Sequence, residues 1–128
     1  MTRILVVDDD EDNLKLFTIV LEYAGFKVVS YSDPFEAFKK FKPGYYDLVI
    51  LDYIMPNLNG FELYERLRQK DESLKILILT ASQEQLHISH NQELVDMVLK
   101  VVRKPIGISK LLDEIDSILR LEKTSVVI

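Results

Sequence analysis

The sequence predicts an α/β domain built on a doubly wound, five-stranded parallel sheet in the order 2-1-3-4-5. Three observations lead there. Five short apolar runs alternate with five helical patterns along 128 residues, and such alternation gives a parallel sheet with crossover helices. The first, third and fourth runs are almost purely apolar, as strands buried on both faces are, whereas the second and fifth carry polar residues suited to edges. Right-handed crossovers then place helices on both faces of the sheet.

The elements follow in chain order. The strands are "ILVV" (4–7), "KVVSY" (27–31), "LVIL" (48–51), "ILIL" (76–79) and "LKVV" (99–102), all too short for helices and rich in branched residues. The first helix runs from Asp12 to Ala24, with Leu14, Phe17, Leu21 and Ala24 on one face and Gly25 as its stop. Asp33-Pro34-Phe35-Glu36 starts the second: a cap, proline at the first helical position, then glutamate three residues after the cap. Phe35, Phe38 and Phe41 form its expected core stripe. Phe61–Gln69 and Ile108–Leu121 are amphipathic, while 83–96 is mostly polar and predicts a lightly packed helix. The domain is expected to span 1–123, with 124–128 as a tail or linker stub.

Composition narrows the function. Apolar residues are 48% and charged residues 29%, an ordinary globular balance. With no cysteine there are neither disulfides nor thiolate metal sites. A net charge of −5 without a basic stripe argues against direct nucleic-acid binding. No apolar run approaches a membrane span and the first residues lack a signal-peptide layout, so a cytoplasmic location is expected.

The chemistry lies at the strand ends. Doubly wound sheets bind ligands beyond the carboxyl ends of their strands, where the winding reverses. The first strand ends in Asp8-Asp9, the third in Asp52, the fourth in Thr80 and the fifth in Arg103-Lys104-Pro105. Three carboxylates, a hydroxyl and an ammonium therefore meet on one rim. Grouped carboxylate oxygens suit a hard cation such as Mg²⁺, which keeps waters and leaves room for a phosphate oxygen.

This arrangement resembles the response-regulator receiver domain, with its flavodoxin- or CheY-like fold, over nearly the whole chain. The matching motifs are "VVDDD" closing the first strand, "LDYIMPNLNGFEL" after the third, "LTAS" after the fourth and "RKP" after the fifth. The resemblance implies that Asp52 accepts a phosphoryl group from a sensor histidine kinase or phosphotransfer protein. It implies that Asp9, Asp52 and the backbone carbonyl of Ile54 bind Mg²⁺ directly, or Mn²⁺ in its place, with Asp8 acting largely through water. Thr80 and Lys104 would each contact a phosphoryl oxygen. The face formed by the fourth helix, the fifth strand and the fifth helix would engage a downstream protein or output domain. Such a domain catalyses only its own phosphorylation and dephosphorylation.

Blander readings apply elsewhere. Asp10, Glu11 and Asp12 are read as cap and first-turn acids, Gly60 as a turn residue, and His87 and His90 as surface residues. Asp8, Asp10 and Asp12 have EF-hand spacing, but Asn13 and Ile19 stand where that loop needs glycine and glutamate. Two alternatives stay open: a haloacid-dehalogenase-type phosphatase with Asp8 as nucleophile, and an inactive interaction module. One departure from the receiver pattern is Val101, where that family usually places an aromatic residue that rotates on phosphorylation. Valine is short and stiff, so the response is expected as loop and helix movement over 80–96.

Overall fold

The structure is a computed structural model and describes residues 1–80, 100–103 and 107–120, with the backbone alone given at 100–103. The expected helix at 83–96, His87, His90, Lys104 and the tail at 124–128 lie outside the described residues.

Five strands form one parallel sheet in the order β2-β1-β3-β4-β5. They are β1 (Arg3–Val7), β2 (Lys27–Tyr31), β3 (Leu48–Asp52), β4 (Ile76–Thr80) and β5 (Lys100–Arg103). The helices are α1 (Glu11–Tyr23), α2 (Pro34–Lys40), α3 (Gly60–Lys70) and a last helix, Ile108–Leu119. Each central strand sends alternate side chains to opposite faces. Leu5, Val7, Val49, Leu51, Ile76 and Ile78 pack with Ala37, Phe61, Leu63 and Leu67 on the α2–α3 side. Ile4, Val6, Leu48, Ile50, Leu77 and Leu79 pack with Leu21, Leu111, Ile115 and Ile118 on the other. Burying one such aliphatic side chain stabilises the fold by about 1.5–3 kcal/mol, so this double-sided pattern fixes the register that aligns the strand ends.

Local signals set the helix starts. The Asp10 carboxylate accepts from the backbone N–H groups of Asp12 and Asn13, and Glu11 and Asp12 follow in the first turn. Asp33 caps α2 by accepting from the Phe35 N–H, and Asn59 and Glu62 close a reciprocal capping box on α3. α1 stops at Gly25, whose φ of 99° is open to glycine at little cost.

Two expectations about apolar faces need correction. Phe35 is 44% exposed rather than core. The seven-residue α2 buries Pro34 and Ala37 instead, with Phe38 partly buried and Phe41 buried just beyond it. The inward stripe is thus 34-37-38-41, which shares 38 and 41 with 35-38-41 and is rotated from it by about 50°, both being compatible with a helical period. Ala24 lies just past α1 and is exposed.

Candidate functional site

The site follows from register. β1 pairs with β3 so that Val7 faces Leu51, and one further step sets Asp8 beside Asp52. β3 pairs with β4 so that Asp52 faces Leu79, which sets Thr80 at the next level. β4 pairs with β5 so that Thr80 faces Arg103. Beyond the strands, the Asp8 N–H donates to the Tyr31 carbonyl at 3.2 Å and the Tyr53 N–H to the Leu79 carbonyl at 2.8 Å. These two bonds carry the ladder past the strand ends and hold the acidic residues against neighbouring strands.

Asp8, Asp9 and Asp52 each bring a carboxylate oxygen within 4.8 Å of the others. Their environments differ. Asp8 is 2% exposed, with Oδ1 accepting from the Asp10 N–H at 3.0 Å. Asp52 is partly buried at the mouth and Asp9 is exposed. Two unit charges at such a separation repel by about 1 kcal/mol in water and by about 3.5 kcal/mol at an effective dielectric of 20. Thr80 is fully buried at the end of β4. The residue at 54, whose carbonyl was expected to take part, follows two positions after Asp52, and its side chain is half exposed. Lys104 falls one position beyond Arg103, outside the described residues.

The loop after β3 shapes this mouth. Tyr53, Met55 and Leu58 are buried and anchor it, and Asn57 takes a left-handed φ of 68°, a conformation asparagine tolerates better than most residues. The Gly60 N–H then donates to the Tyr53 carbonyl at 2.8 Å. A Cβ on Gly60 would stand 2.7 Å from the Asp52 carbonyl oxygen and 3.0 Å from the Tyr53 Cα. Gly60 is therefore required by close backbone approach behind Asp52, not by an unusual turn conformation. Its sequence neighbours, all turn formers, conceal that difference.

A second feature escapes a reading confined to core stripes. Leu16, Ile19 and Tyr23 are 52%, 66% and 96% exposed on α1, the helix that begins at the acidic rim. Their spacing of three and four residues marks one outer face, and that spacing is visible in the sequence.

The fold and the acidic rim together define a class. Residues 4–116 match the response regulator receiver domain, and the chain belongs to that family: it is a receiver domain of the two-component type, a signalling domain. Among curated proteins it is 42% identical over 83 residues to the alkaline phosphatase synthesis transcriptional regulatory protein PhoP of Bacillus subtilis, covering 65% of this chain and 35% of that protein. It is 34% identical over 128 residues to the phosphoglycerate transport system transcriptional regulatory protein PgtA of Salmonella typhimurium, covering 97% of this chain and 29% of that one. The chain thus spans roughly a third of the length of these curated relatives. Among solved structures, the response regulator TrrA of Thermotoga maritima, in complex with Mg(2+)-BeF, superposes with a TM-score of 0.79 at 32% identity, covering 92% of this chain and 99% of that one. The non-phosphorylated HemR receiver domain of Leptospira biflexa gives 0.81 at 31% identity, covering 95% and 97%.

Proposed function

We propose that the domain accepts a phosphoryl group on Asp52 from a sensor histidine kinase or phosphotransfer protein, in a Mg²⁺-dependent reaction. The observation that carries this is the meeting of three carboxylates at the β1 and β3 ends, with Asp52 partly open at the mouth and Asp8 nearly sealed beneath. In the transfer, a carboxylate oxygen of Asp52 attacks phosphorus, the phosphorus–nitrogen bond of the donor phosphohistidine breaks, and its electron pair returns to the imidazole. The nucleophile is a carboxylate and needs no general base, so positioning and charge stabilisation supply most of the catalysis. Thr80 would donate its hydroxyl to one phosphoryl oxygen, and Lys104 would pair with another.

The donor set fits a hard divalent cation. All three side-chain ligands are carboxylates, close enough to share one ion, and the Mg(2+)-BeF complex of the Thermotoga maritima neighbour supports the same choice. Asp9, Asp52 and the Ile54 carbonyl would hold Mg²⁺ or Mn²⁺ directly, with Asp8 largely through water. When bound, the cation neutralises charge shared by the carboxylates and the phosphoryl oxygens.

The phosphatase alternative would need Asp8 as nucleophile. Its 2% exposure and its bond to the Asp10 N–H suit a buried positioning carboxylate better. For the donor protein, the exposed face of Leu16, Ile19 and Tyr23, on the helix that begins at the rim, offers apolar contact area. The downstream face would be the segment 83–96, β5 and the last helix. The domain would act in the cytoplasm as part of, or partner to, a larger regulator. Among the described residues, no helix is long and apolar enough to cross a membrane. The reading is tested by incubating the protein with acetyl phosphate, with and without Mg²⁺, and measuring intact mass. One added phosphoryl group is expected only with the metal and not in Asp52→Asn; an equal gain in that variant would reject it.

A further inference from the structure

At the β2 edge of the sheet lies a cavity of about 420 Å³ lined by Val29, Tyr31, Lys40, Lys42, Tyr45 and Tyr46, of which Tyr31 also touches the acidic rim through its carbonyl, an acceptor for the Asp8 N–H. Three segments build it. Val29 and Tyr31 alternate along one face of β2, Lys40 ends α2, and the other three belong to the connection into β3. In sequence this is the stretch "KKFKPGYY", which the phosphoacceptor chemistry leaves unused.

Its polar groups are of one kind. Two lysines and three tyrosines line the cavity, each carrying a group able to donate, and no lining residue is a carboxylate. On a chain of net charge −5 this is a local inversion of sign. One further cation is close: the Arg3 guanidinium lies 4.3 Å from the Tyr45 ring centroid, and the lining Lys42 ammonium lies 5.4 Å from the same ring. Burial raises the pKa of the Tyr46 hydroxyl, helped by Tyr31 and Tyr45, so it stays protonated as a donor. Among the described residues, the carboxylate paired with a lining lysine is Glu36, which meets Lys40 at 2.7 Å with both side chains about half exposed. An exposed pair of that kind is worth little and can be displaced by a more highly charged anion.

We infer that this cavity binds a small phosphate-bearing molecule, its phosphate against Lys40 and Lys42 and its ring or apolar part against Tyr31 and Val29. Lysine is a standard point-charge partner for phosphate, the tyrosine rings supply flat contact area, and the volume falls within the usual range of about 300–1,000 Å³ for small-ligand sites.

The test is a titration followed by two-dimensional amide NMR, with a chelator present so that the acidic rim repels phosphate. The probes are inorganic phosphate, ribose 5-phosphate, adenosine monophosphate and a glutamate-rich peptide. Saturable shifts at Lys40, Lys42, Tyr45 and Tyr46 are expected with the phosphate compounds, tightest for the nucleotide. Lys40→Ala and Lys42→Ala should each weaken binding about fivefold or more, as loss of one charge-assisted contact implies. Glu36→Gln should tighten it, since it releases Lys40; this variant removes no donor and guards against misreading a folding defect. Absence of saturable shifts, preference for the acidic peptide, or indifference to all three substitutions would overturn the inference.

Discussion

Replacing Gly60 by alanine probes the packing that seats Asp52, the proposed phosphoacceptor. The added Cβ would meet the Asp52 carbonyl oxygen at 2.7 Å and the Tyr53 Cα at 3.0 Å, both backbone atoms. Neither can rotate away, so α3 must shift or the strand end must bend. Overpacking of this kind costs about 1–3 kcal/mol. Alanine's better helix propensity returns at most about 1 kcal/mol, and less in the first turn. A net loss of about 1–2 kcal/mol is therefore expected. Urea unfolding should show it as a lower midpoint at unchanged slope. Gly107→Ala serves as a control for the site: nothing lies within 4 Å of its Cβ and φ is −71°, so only glycine's better N-cap character is lost, about 1 kcal/mol or less, and phosphorylation should be unchanged. Because the strain falls on the Asp52 backbone, Gly60→Ala should also slow phosphorylation by acetyl phosphate. Wild-type stability together with wild-type phosphorylation would refute the close-approach reasoning.

Other expectations follow from the same structure. Asp9→Asn should stabilise the metal-free protein by about 1 kcal/mol through relief of like charge, read as a higher melting temperature, while weakening Mg²⁺ binding; a fall would reject the repulsion estimate. Millimolar Mg²⁺ should raise the melting temperature of the unmodified protein by mass action, and this rise should shrink in Asp9→Asn. Tyr23→Asp, on the outer face of α1, should impair transfer from a histidine kinase yet leave acetyl phosphate labelling unchanged; equal loss in both assays would show that it acts on the site and not on docking. Addition of beryllofluoride with Mg²⁺ should alter hydrogen exchange across residues 80–96, and a change confined to 8–24 would sink the proposed output route.

The legible parts of the fold are those set by local pattern. β2 reads directly from "KVVSY" and spans the same residues in the structure. Edge and centre could be told apart because Lys27 and Ser30 are tolerable only where one flank is open. The meeting of Asp8, Asp9 and Asp52 was legible for a related reason: strand order plus strand ends suffices to place them. Phe35 was not, since a seven-residue helix admits two overlapping apolar stripes about 50° apart, and only tertiary packing selects between them. The role of Gly60 depends on how closely α3 approaches β3, which leaves no trace in neighbouring residues. The lysine–tyrosine cavity likewise needs β2 and the α2–β3 connection to come together before its charges share a space.

The position of the transferred phosphoryl group tests the central claim most directly. Borohydride reduces an aspartyl phosphate to homoserine, a permanent mark that tandem mass spectrometry of peptides can place. After incubation with acetyl phosphate and Mg²⁺, the account predicts homoserine at position 52 and aspartate retained at positions 8 and 9. Homoserine at position 8, or at none of the three, would contradict it.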